Sequence, residues 1–378
     1  MAQYYHPELV RFAFVLGIVV SLLFYERRQL TTGGIAVPGY LAFALFQPLI
    51  VPAVFAAALV SYVAIHKLLA RFVLLPNEAK FSLTILASSA VHFMTDFYLV
   101  AATSVEASSP LLRGIGYVVP GLIAHDFSRH GIARTSLNIG MATIVVALGL
   151  VGLIVLLPEL ARLETSPVKD AFPVDLAYLP MLVFLSLIAW LGVVRLHGLR
   201  GGGFLGGAYL TLLVLQPEEL VRFVVVAIMT LVIVRVFLDP VAILFGRRRF
   251  GAHMLIGACL SWAAFRISEI YFAGQTISVV TPSLAVLGVL LTGLIAHDMD
   301  REGIGRTLLG AFYSVCFTLT GTLLLLEAVT RQRLEVAGPL LILFLAGSLL
   351  LAVSPSRMAK IRARLRGRSS TEGDSSHA

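Results

Sequence analysis

The sequence has little charge and little cysteine for its length. Charged residues make up 13% of the 378 positions, whereas soluble domains carry about 25%, and the mean hydropathy is +0.92. No polar stretch is long enough for a separate soluble domain, so the composition excludes a soluble enzyme. The two cysteines, Cys259 and Cys316, stand far apart in apolar runs, which favours interior packing over a disulfide or a metal site.

Signatures of nucleotide and metal chemistry are also missing. The chain contains no Gly-x-x-x-x-Gly-Lys-Ser/Thr phosphate loop. A metal-ligand role for His125 or His297 has only the residue type in its favour. We therefore expect this chain to have no catalytic residue, no metal and no bound cofactor.

Apolar runs recur along the whole chain, many of them near the ~20 residues that cross a bilayer. They predict an all-α polytopic transmembrane protein with about thirteen segments. The runs cover residues 9–25, 33–46, 48–66, 81–101, 115–125, 135–157, 179–196, 203–215, 218–238, 251–272, 277–296, 306–329 and 338–353.

The most informative feature is an internal duplication. The string from Gly121 to Leu137 returns 172 positions later as Gly293 to Leu309, with 12 of 17 positions identical, including a His-Asp-x-x-Arg-x-Gly-Ile-x-Arg-Thr pattern. Charged positions that recur at this spacing are not explained by shared hydrophobicity, so the chain is a tandem of two membrane modules. A weaker similarity occurs upstream at an offset of 169 positions. It pairs Gly33-Gly34, Tyr40, Gln47-Pro48 and Phe81 with Gly202-Gly203, Tyr209, Gln216-Pro217 and Phe250.

Basic residues predict the topology. Six of them lie between Arg357 and Arg368 with no acid, which places this tail in the cytoplasm near anionic lipid; a nucleic-acid role is disfavoured because aromatics are missing there. Thirteen crossings then put the N-terminus outside, on a spanning helix rather than a cleaved signal peptide. The predicted order is a first module (1–158), an extracytoplasmic linker (159–178), a second, parallel module (179–330), an extra transmembrane helix (331–354) and the tail (355–378).

Two segments of the first copy, 33–46 and 115–125, are short and rich in helix breakers. Such segments occur at membrane depth where backbone is buried in protein or lines a cavity, and they often mark a binding site. Re-entrant segments, full crossings and tightly packed ordinary helices all remain open, and the charges mildly favour full crossing. The broken-helix motif comprises Gly34, Pro38, Gly39, Tyr40, Gln47, Pro48, Pro120 and Gly121.

Four blocks of the first copy, Ser21 to Glu26, Gly34 to Leu41, Gln47-Pro48 and Gly114 to Ala124, carry a specific resemblance. They resemble the membrane subunit of bacterial poly-γ-glutamate synthase, the PgsC/CapC family of capsule biosynthesis proteins. The loop from Gly246 to Phe250 resembles the family's basic loop. A typical member has one module, so this chain looks like a fused tandem. The second copy has Gly207 for Pro38 and Thr292 for Pro120, and we expect the two halves to have divided their roles.

The resemblance implies a non-catalytic membrane subunit of a capsule synthesis and export complex in the bacterial inner membrane. Its implied partners are a cytoplasmic Mur-ligase-like, ATP-dependent amide ligase, other capsule-complex subunits, the anionic polymer and membrane lipid. Two other functions remain open. One is a secondary transporter for a small anion, and the other is a scaffold without substrate contact.

The repeated charged string is the main candidate site. Its arginines would attract the carboxylates of a polyanion or dock the ligase, and the alternative is an ordinary charged loop that fixes topology. Within each copy the aspartate and the first arginine are three positions apart and could pair on a helix. The predicted polymer-path residues are His125, Asp126, Arg129, Arg134, His297, Asp298, Arg301 and Arg306.

Ionisable residues inside the apolar runs form a second candidate set. His92 and Asp96 lie in run 81–101, and Arg266 and Glu269 lie in the matching run 251–272. Buried charges in a membrane usually face a partner or water, so an Asp96–Arg266 or His92–Glu269 pair between the modules is expected, with a polymer or proton path as the alternative. For Glu26, Tyr40, Gln47 and Tyr209 packing is favoured over ligand contact.

Overall fold

The computed structural model describes residues 7–29, 31–45, 50–72, 77–103, 116–158, 179–214, 216–271 and 282–330. Within these residues the chain forms twelve helices and no strand, which confirms the predicted all-α membrane fold. Six described helices are long and apolar enough to cross a membrane. They cover Glu8–Arg28, Ile50–Phe72, Ile132–Leu156, Pro217–Leu238, Gly246–Ile267 and Ile304–Leu324.

The helices follow the same order in both copies. Turns of π-helix, Val63–Leu69 and Val234–Leu238, extend the third helix of each copy at nearly equivalent places. The first copy forms α1 (Pro7–Arg28), α2 (Val37–Ala44), α3 (Ile50–Tyr62), α4 (Asn77–Thr103), α5 (Val119–His130) and α6 (Ile132–Leu156). The second copy forms α7 (Leu179–His197), α8 (Gly203–Val214), α9 (Pro217–Ile233), α10 (Gly246–Tyr271), α11 (Pro282–Glu302) and α12 (Ile304–Thr330).

The breaks predicted in the first copy form where its prolines stand. Pro38 and Pro120 occupy the first turns of α2 and α5, positions that need no backbone N–H. Helix α2 has 8 residues and α5 has 12, so they extend only about 12 and 18 Å, well short of the ~30 Å hydrocarbon core. The second copy differs because Thr292 replaces Pro120, and α11 runs unbroken for 21 residues.

Glycine lets the short helices pack closely on their neighbours. A Cβ on Gly39 of α2 would lie 2.7 Å from the Ala13 carbonyl oxygen of α1, and one on Gly121 of α5 would lie 2.7 Å from the Ile85 Cα of α4. Small residues at helix contacts are typical of membrane bundles, where close backbone approach supplies the attraction. These glycines therefore fix the positions of α2 and α5.

The two copies pack through reciprocal helix pairs. Helix α1 packs on α10, and α4 packs on α7, so the first and fourth helices of each copy meet the fourth and first of the other. A reciprocal pattern of this kind is that of a two-fold axis, here relating two halves of one chain.

Both ends of α1 are tied to α10. At one end Glu26 forms an ion pair with Arg248, with Arg248 Nε 2.6 Å from Glu26 Oε1. Toward the other end the Trp262 indole N–H donates to the Glu8 carboxylate, and the guanidinium of Arg11, which is 1% exposed, lies 3.9 Å above the Phe265 ring. These contacts couple the first copy to the second along the length of the helix.

Several predictions fall on residues that the structure does not describe. These are the linker 159–178, the extra helix 331–354, the tail 355–378, and Gln47 and Pro48 of the broken-helix motif. The module boundaries, the sidedness of the chain and the thirteenth segment therefore stay predictions.

Candidate functional site

A cavity of about 880 Å³ lies between the two copies. Polar side chains line it toward the end of the bundle that carries the repeated charged strings, which we call the His-Asp end; they are His66, Lys80, Ser82, His125, Ser128, Arg129, Arg200 and Asp298. Its apolar lining includes Leu122, Trp190, Tyr209, Leu290, Leu291 and Leu294. From Leu290 to Asp298 the cavity follows α11 for eight positions, about 12 Å, so it reaches from a charged mouth into the apolar interior.

The aspartate of each charged string holds a glycine loop. Asp126 Oδ2 accepts a hydrogen bond from the Gly33 N–H at 2.9 Å, and Asp298 Oδ2 accepts one from the Gly202 N–H at 3.0 Å. Gly33 and Gly202 have φ values of +76° and +80°, a region that only glycine adopts readily. The duplicated Gly-Gly and His-Asp motifs are thus two halves of one contact, made once in each copy.

Different side chains support the two loops. In the first copy the Thr32 hydroxyl donates to Ser21 Oγ at 2.8 Å, and Asn138 Nδ2 donates to the Thr31 carbonyl at 3.1 Å. In the second copy the Arg200 N–H donates to Glu302 Oε2 at 3.0 Å. Each loop is therefore anchored, and the loops place Gly34 and Gly203 in the cavity wall.

The predicted ion pair inside each charged string does not form. Within the described residues, Asp126 and Asp298 bond to the glycine loops rather than to Arg129 and Arg301, because each carboxylate turns inward and is 6% exposed while the arginines are exposed. This part of the sequence-based interpretation is wrong.

Of the four predicted polymer-path arginines, only Arg129 lines the cavity. Arg134, Arg301 and Arg306 are exposed near the helix termini at the same end of the bundle. The four guanidinium groups thus share one face of the protein, and Arg129 is placed at the mouth of the cavity.

The two repeated histidines have similar surroundings but unequal access. His125 packs edge-on against Phe81 with ring centroids 4.8 Å apart, and His297 packs in the same way against Phe250 at 5.0 Å. Each ring also has a histidine neighbour, His66 at 6.5 Å for His125 and His253 at 5.4 Å for His297, but of the two only His125 lines the cavity.

The second copy contains a network of ion pairs beside its charged string. Asp300, with a side chain 4% exposed, lies between two arginines: Arg235 Nε is 2.7 Å from Oδ1 and Arg249 Nε is 2.6 Å from Oδ2. Arg249 also pairs with Asp239 at 2.9 Å, and His253 Nε2 lies 4.0 Å from Asp300. The arginines of this network are therefore neutralised within the protein.

The first copy has different residues at the same places. With the offsets of the duplication, His66, Lys80 and Thr84 correspond to Arg235, Arg249 and His253, and Ser128 corresponds to Asp300. His66 Nε2 lies 3.0 Å from Thr84 Oγ1, whose hydroxyl donates to the Lys80 carbonyl at 2.6 Å. Two basic residue types stay together, but the two arginines have become a histidine and a lysine, and the carboxylate has been replaced by a hydroxyl.

The structure describes the side chains of only two of the four ionisable residues predicted inside the apolar runs. His92 is buried against Tyr117, with ring centroids 5.3 Å apart, and Arg266 is exposed. The side chains of Asp96 and Glu269 lie outside the described residues, so the predicted pairs between modules stay predictions. The hydroxyl of Tyr40 packs against Gly116, and that of its counterpart Tyr209 packs in the same way against Gly288. Of the two tyrosines, only Tyr209 also lines the cavity.

Sequence reasoning missed His66, Lys80 and Arg200 as cavity residues. The signal was available for His66 and Lys80, because the 169-residue offset pairs each of them with another basic residue, Arg235 and Arg249. Arg200 carried no such signal, since its counterpart is Thr31.

Fold and site together define a class: a polytopic α-helical membrane protein of two fused copies around a shared cationic cavity. The chain belongs to the capsule biosynthesis CapC family, which matches residues 16–136 and again residues 175–308. This confirms both the resemblance read from the motifs and its extension to the second copy.

Two relatives show the scale of the duplication. The chain is 35% identical to the capsule biosynthesis protein CapC of Bacillus anthracis over 124 residues, which are 32% of this chain and 80% of the relative. It is 32% identical to the PGA biosynthesis protein CapC of Bacillus subtilis (strain 168) over 123 residues, again 32% of this chain and 80% of the relative. Each relative is therefore long enough for only one copy of the repeat. No solved structure matches the chain.

Proposed function

We propose that this protein is the membrane subunit of a complex that makes and exports poly-γ-glutamate or a similar anionic polyamide. A separate ATP-dependent amide ligase forms the polymer at the cytoplasmic face, and this chain provides the polymer's route across the membrane. Family membership supports the capsule context. The observation that carries the transport part is the cavity between the copies.

The cavity has the chemistry that a polyanion needs. Its volume lies in the range of ligand sites, about 300–1,000 Å³, and the cations Lys80 and Arg129 are among the lining residues at its mouth. Arginine binds carboxylates with two parallel hydrogen bonds, and clustered positive charge raises the local concentration of an anion. The mouth is thus suited to capture carboxylates before the chain enters the apolar interior.

The positive-inside rule supports the direction of passage. The His-Asp end carries the exposed Arg134, Arg301 and Arg306 beside the cavity residues, and basic loops of this kind stay in the cytoplasm. The mouth would then face the ligase. Exposed cations around it also give the ligase an electrostatic docking surface, which weakens with salt.

The proposal is tested by the extracellular polymer of a strain that lacks this gene. The deletion is complemented with the wild type, with Lys80→Glu plus Arg129→Glu, and with Arg134→Glu plus Arg306→Glu, all at matched membrane levels. Arg27→Glu is the control, because Arg27 is an exposed cation in the last turn of α1 that does not line the cavity.

We expect the deletion to lose a glutamate-containing polymer, and the wild type and the Arg27 control to restore it. Charge reversal inside the cavity should abolish export, and reversal of the rim pair should reduce it. An unchanged polymer in the deletion strain contradicts the capsule role. If every charge reversal restores the polymer fully, the protein is a scaffold without substrate contact.

A secondary transporter for a small anion is the competing function. The two-fold arrangement of repeats around a central cavity favours it, since transporters place their sites at such repeat interfaces. Purified protein in liposomes separates the two functions. Uptake of a small dicarboxylate by this chain alone would favour the transporter, and no uptake together with polymer loss in the deletion strain would favour the complex subunit.

A further inference from the structure

The most specific clue to ligand chemistry is the difference between equivalent places in the two copies. In the second copy, the Asp300 carboxylate lies between Arg235 and Arg249. In the first copy, the corresponding position is Ser128, and the two arginines correspond to His66 and Lys80. The second copy thus shows that a carboxylate can be bound at this position, and the first copy has no carboxylate of its own there.

The equivalent position in the first copy, at Ser128, opens into the cavity. His66, Lys80, Ser128 and Arg129 all line it, whereas Asp300, Arg235 and Arg249 do not. The charges of the second-copy network pair with one another, whereas Lys80 and Arg129 of the first copy face the space between the modules.

The positive charges of Lys80 and Arg129 in the first copy are also available to a ligand. In the part of the chain that the structure describes, neither Lys80 nor Arg129 forms an ion pair, although Lys80 is half-buried. A half-buried cation at a cavity wall is well placed to bind an anion, because charge-assisted hydrogen bonds are stronger in a low local dielectric.

We propose that the first copy binds a carboxylate of the polymer at the place that Asp300 fills in the second copy. Lys80 holds the carboxylate beside Ser128, and Arg129 receives the next one at the mouth. The second copy holds a permanent carboxylate at the equivalent position, which is therefore structural in that copy. The identity of the ligand rests on the proposed function, but the carboxylate site itself rests on the comparison of the copies.

The test installs the second copy's carboxylate in the first. Ser128→Asp should place an internal competitor beside Lys80 and His66, and Ser128→Asn is a control of similar size without charge. Ser128 is exposed, so neither change disturbs the interior. Full-length protein in lipid nanodiscs is titrated with a γ-linked tetraglutamate, with free glutamate, and with the methyl ester of the tetraglutamate.

We expect Ser128→Asn, whose amide fills the place of the bound carboxylate without adding charge, to bind the tetraglutamate more weakly than the wild type. Ser128→Asp should bind it about tenfold or more weakly than Ser128→Asn, because it adds a like charge beside the ligand and neutralises Lys80. Lys80→Gln should weaken binding similarly, and the ester should not bind. Weaker binding of free glutamate than of the tetraglutamate would identify the polymer rather than the monomer as the ligand. Equal or tighter binding of the monomer would overturn that assignment.

The inference is overturned if Ser128→Asp binds as tightly as Ser128→Asn while both melt at the same temperature. Its failure is distinct from failure of the proposed function. Loss of polymer in the deletion strain without tetraglutamate binding in vitro would reject the carboxylate site and keep the function. Unchanged polymer in the deletion strain, together with a clear difference in binding between the Ser128 variants, would support the carboxylate site and reject the proposed function.

Discussion

The carboxylate of Asp126 accepts a hydrogen bond from the backbone N–H of Gly33, 93 positions earlier in the chain, at 2.9 Å. Asp298 and Gly202 repeat the contact at 3.0 Å. A buried N–H that lacks a partner is costly, and a loop ahead of a short helix offers none of its own. The aspartate of the duplicated string therefore holds the loop that shapes the cavity wall.

Removal of this acceptor should destabilise the protein. Asp126→Ala leaves the Gly33 N–H buried without a partner, which costs about 1–3 kcal/mol. Asp126→Asn keeps an oxygen acceptor and should cost less than half as much. The measurement is the thermal midpoint of purified protein in detergent. Equal midpoints for the two variants would show that the hydrogen bond does not hold the loop.

Gly121 should not tolerate a methyl group. The Cβ of Gly121→Ala would lie 2.4 Å from Ser88 Oγ and 2.7 Å from Ile85 Cα, and since backbone cannot rotate away, α4 and α5 must separate. We expect a loss of about 1–3 kcal/mol. The control is Gly140→Ala in α6, where no atom from another part of the described chain lies within 4 Å of the added Cβ and alanine favours the helix. It should be neutral or slightly stabilising in the same unfolding assay.

Pro120 and its counterpart Thr292 should be exchangeable in one direction only. Thr292→Pro removes a backbone donor inside the continuous helix α11 and introduces a clash with the preceding turn, at about 3 kcal/mol or more. Pro120→Thr falls in the first turn of α5 and should cost under about 1 kcal/mol. Folded yield after membrane extraction measures both, and a well-folded Thr292→Pro protein would argue that α11 tolerates a break.

Loss of the Asp300 carboxylate should weaken only the second copy. Asp300→Asn leaves Arg235 and Arg249 without their shared partner. The carboxylate is 4% exposed but the arginines are 51% and 32% exposed, so we expect about 1–2 kcal/mol, below the value for a fully buried pair. Ser128→Asn at the equivalent place in the first copy should leave the unfolding midpoint unchanged. A similar loss for both variants would mean that the network does not stabilise the second copy.

Particular residues show how far sequence reasoning reached. The breaks at Pro38 and Pro120 and the duplicated glycines were predicted because proline and glycine act on the local backbone, whatever lies nearby. The pairing of Asp126 with Arg129 was wrong because spacing on a helix says which side chains are adjacent, not which of them has a better partner elsewhere. The ties of α1 to α10, through Glu26 and Arg248 and through Glu8 and Trp262, join positions more than 200 residues apart, and no local pattern marks them.

The sequence by itself determined the membrane class, the twofold repetition, the family and the places where helices break. These follow from composition, identity at a fixed offset and backbone chemistry, all of which are local. Only the tertiary structure decided which helices meet and that a cavity opens between the copies. In a bilayer, lipid tails are as apolar as leucine, so hydrophobicity selects no neighbour, and close glycine contacts and a few charged pairs make the choice.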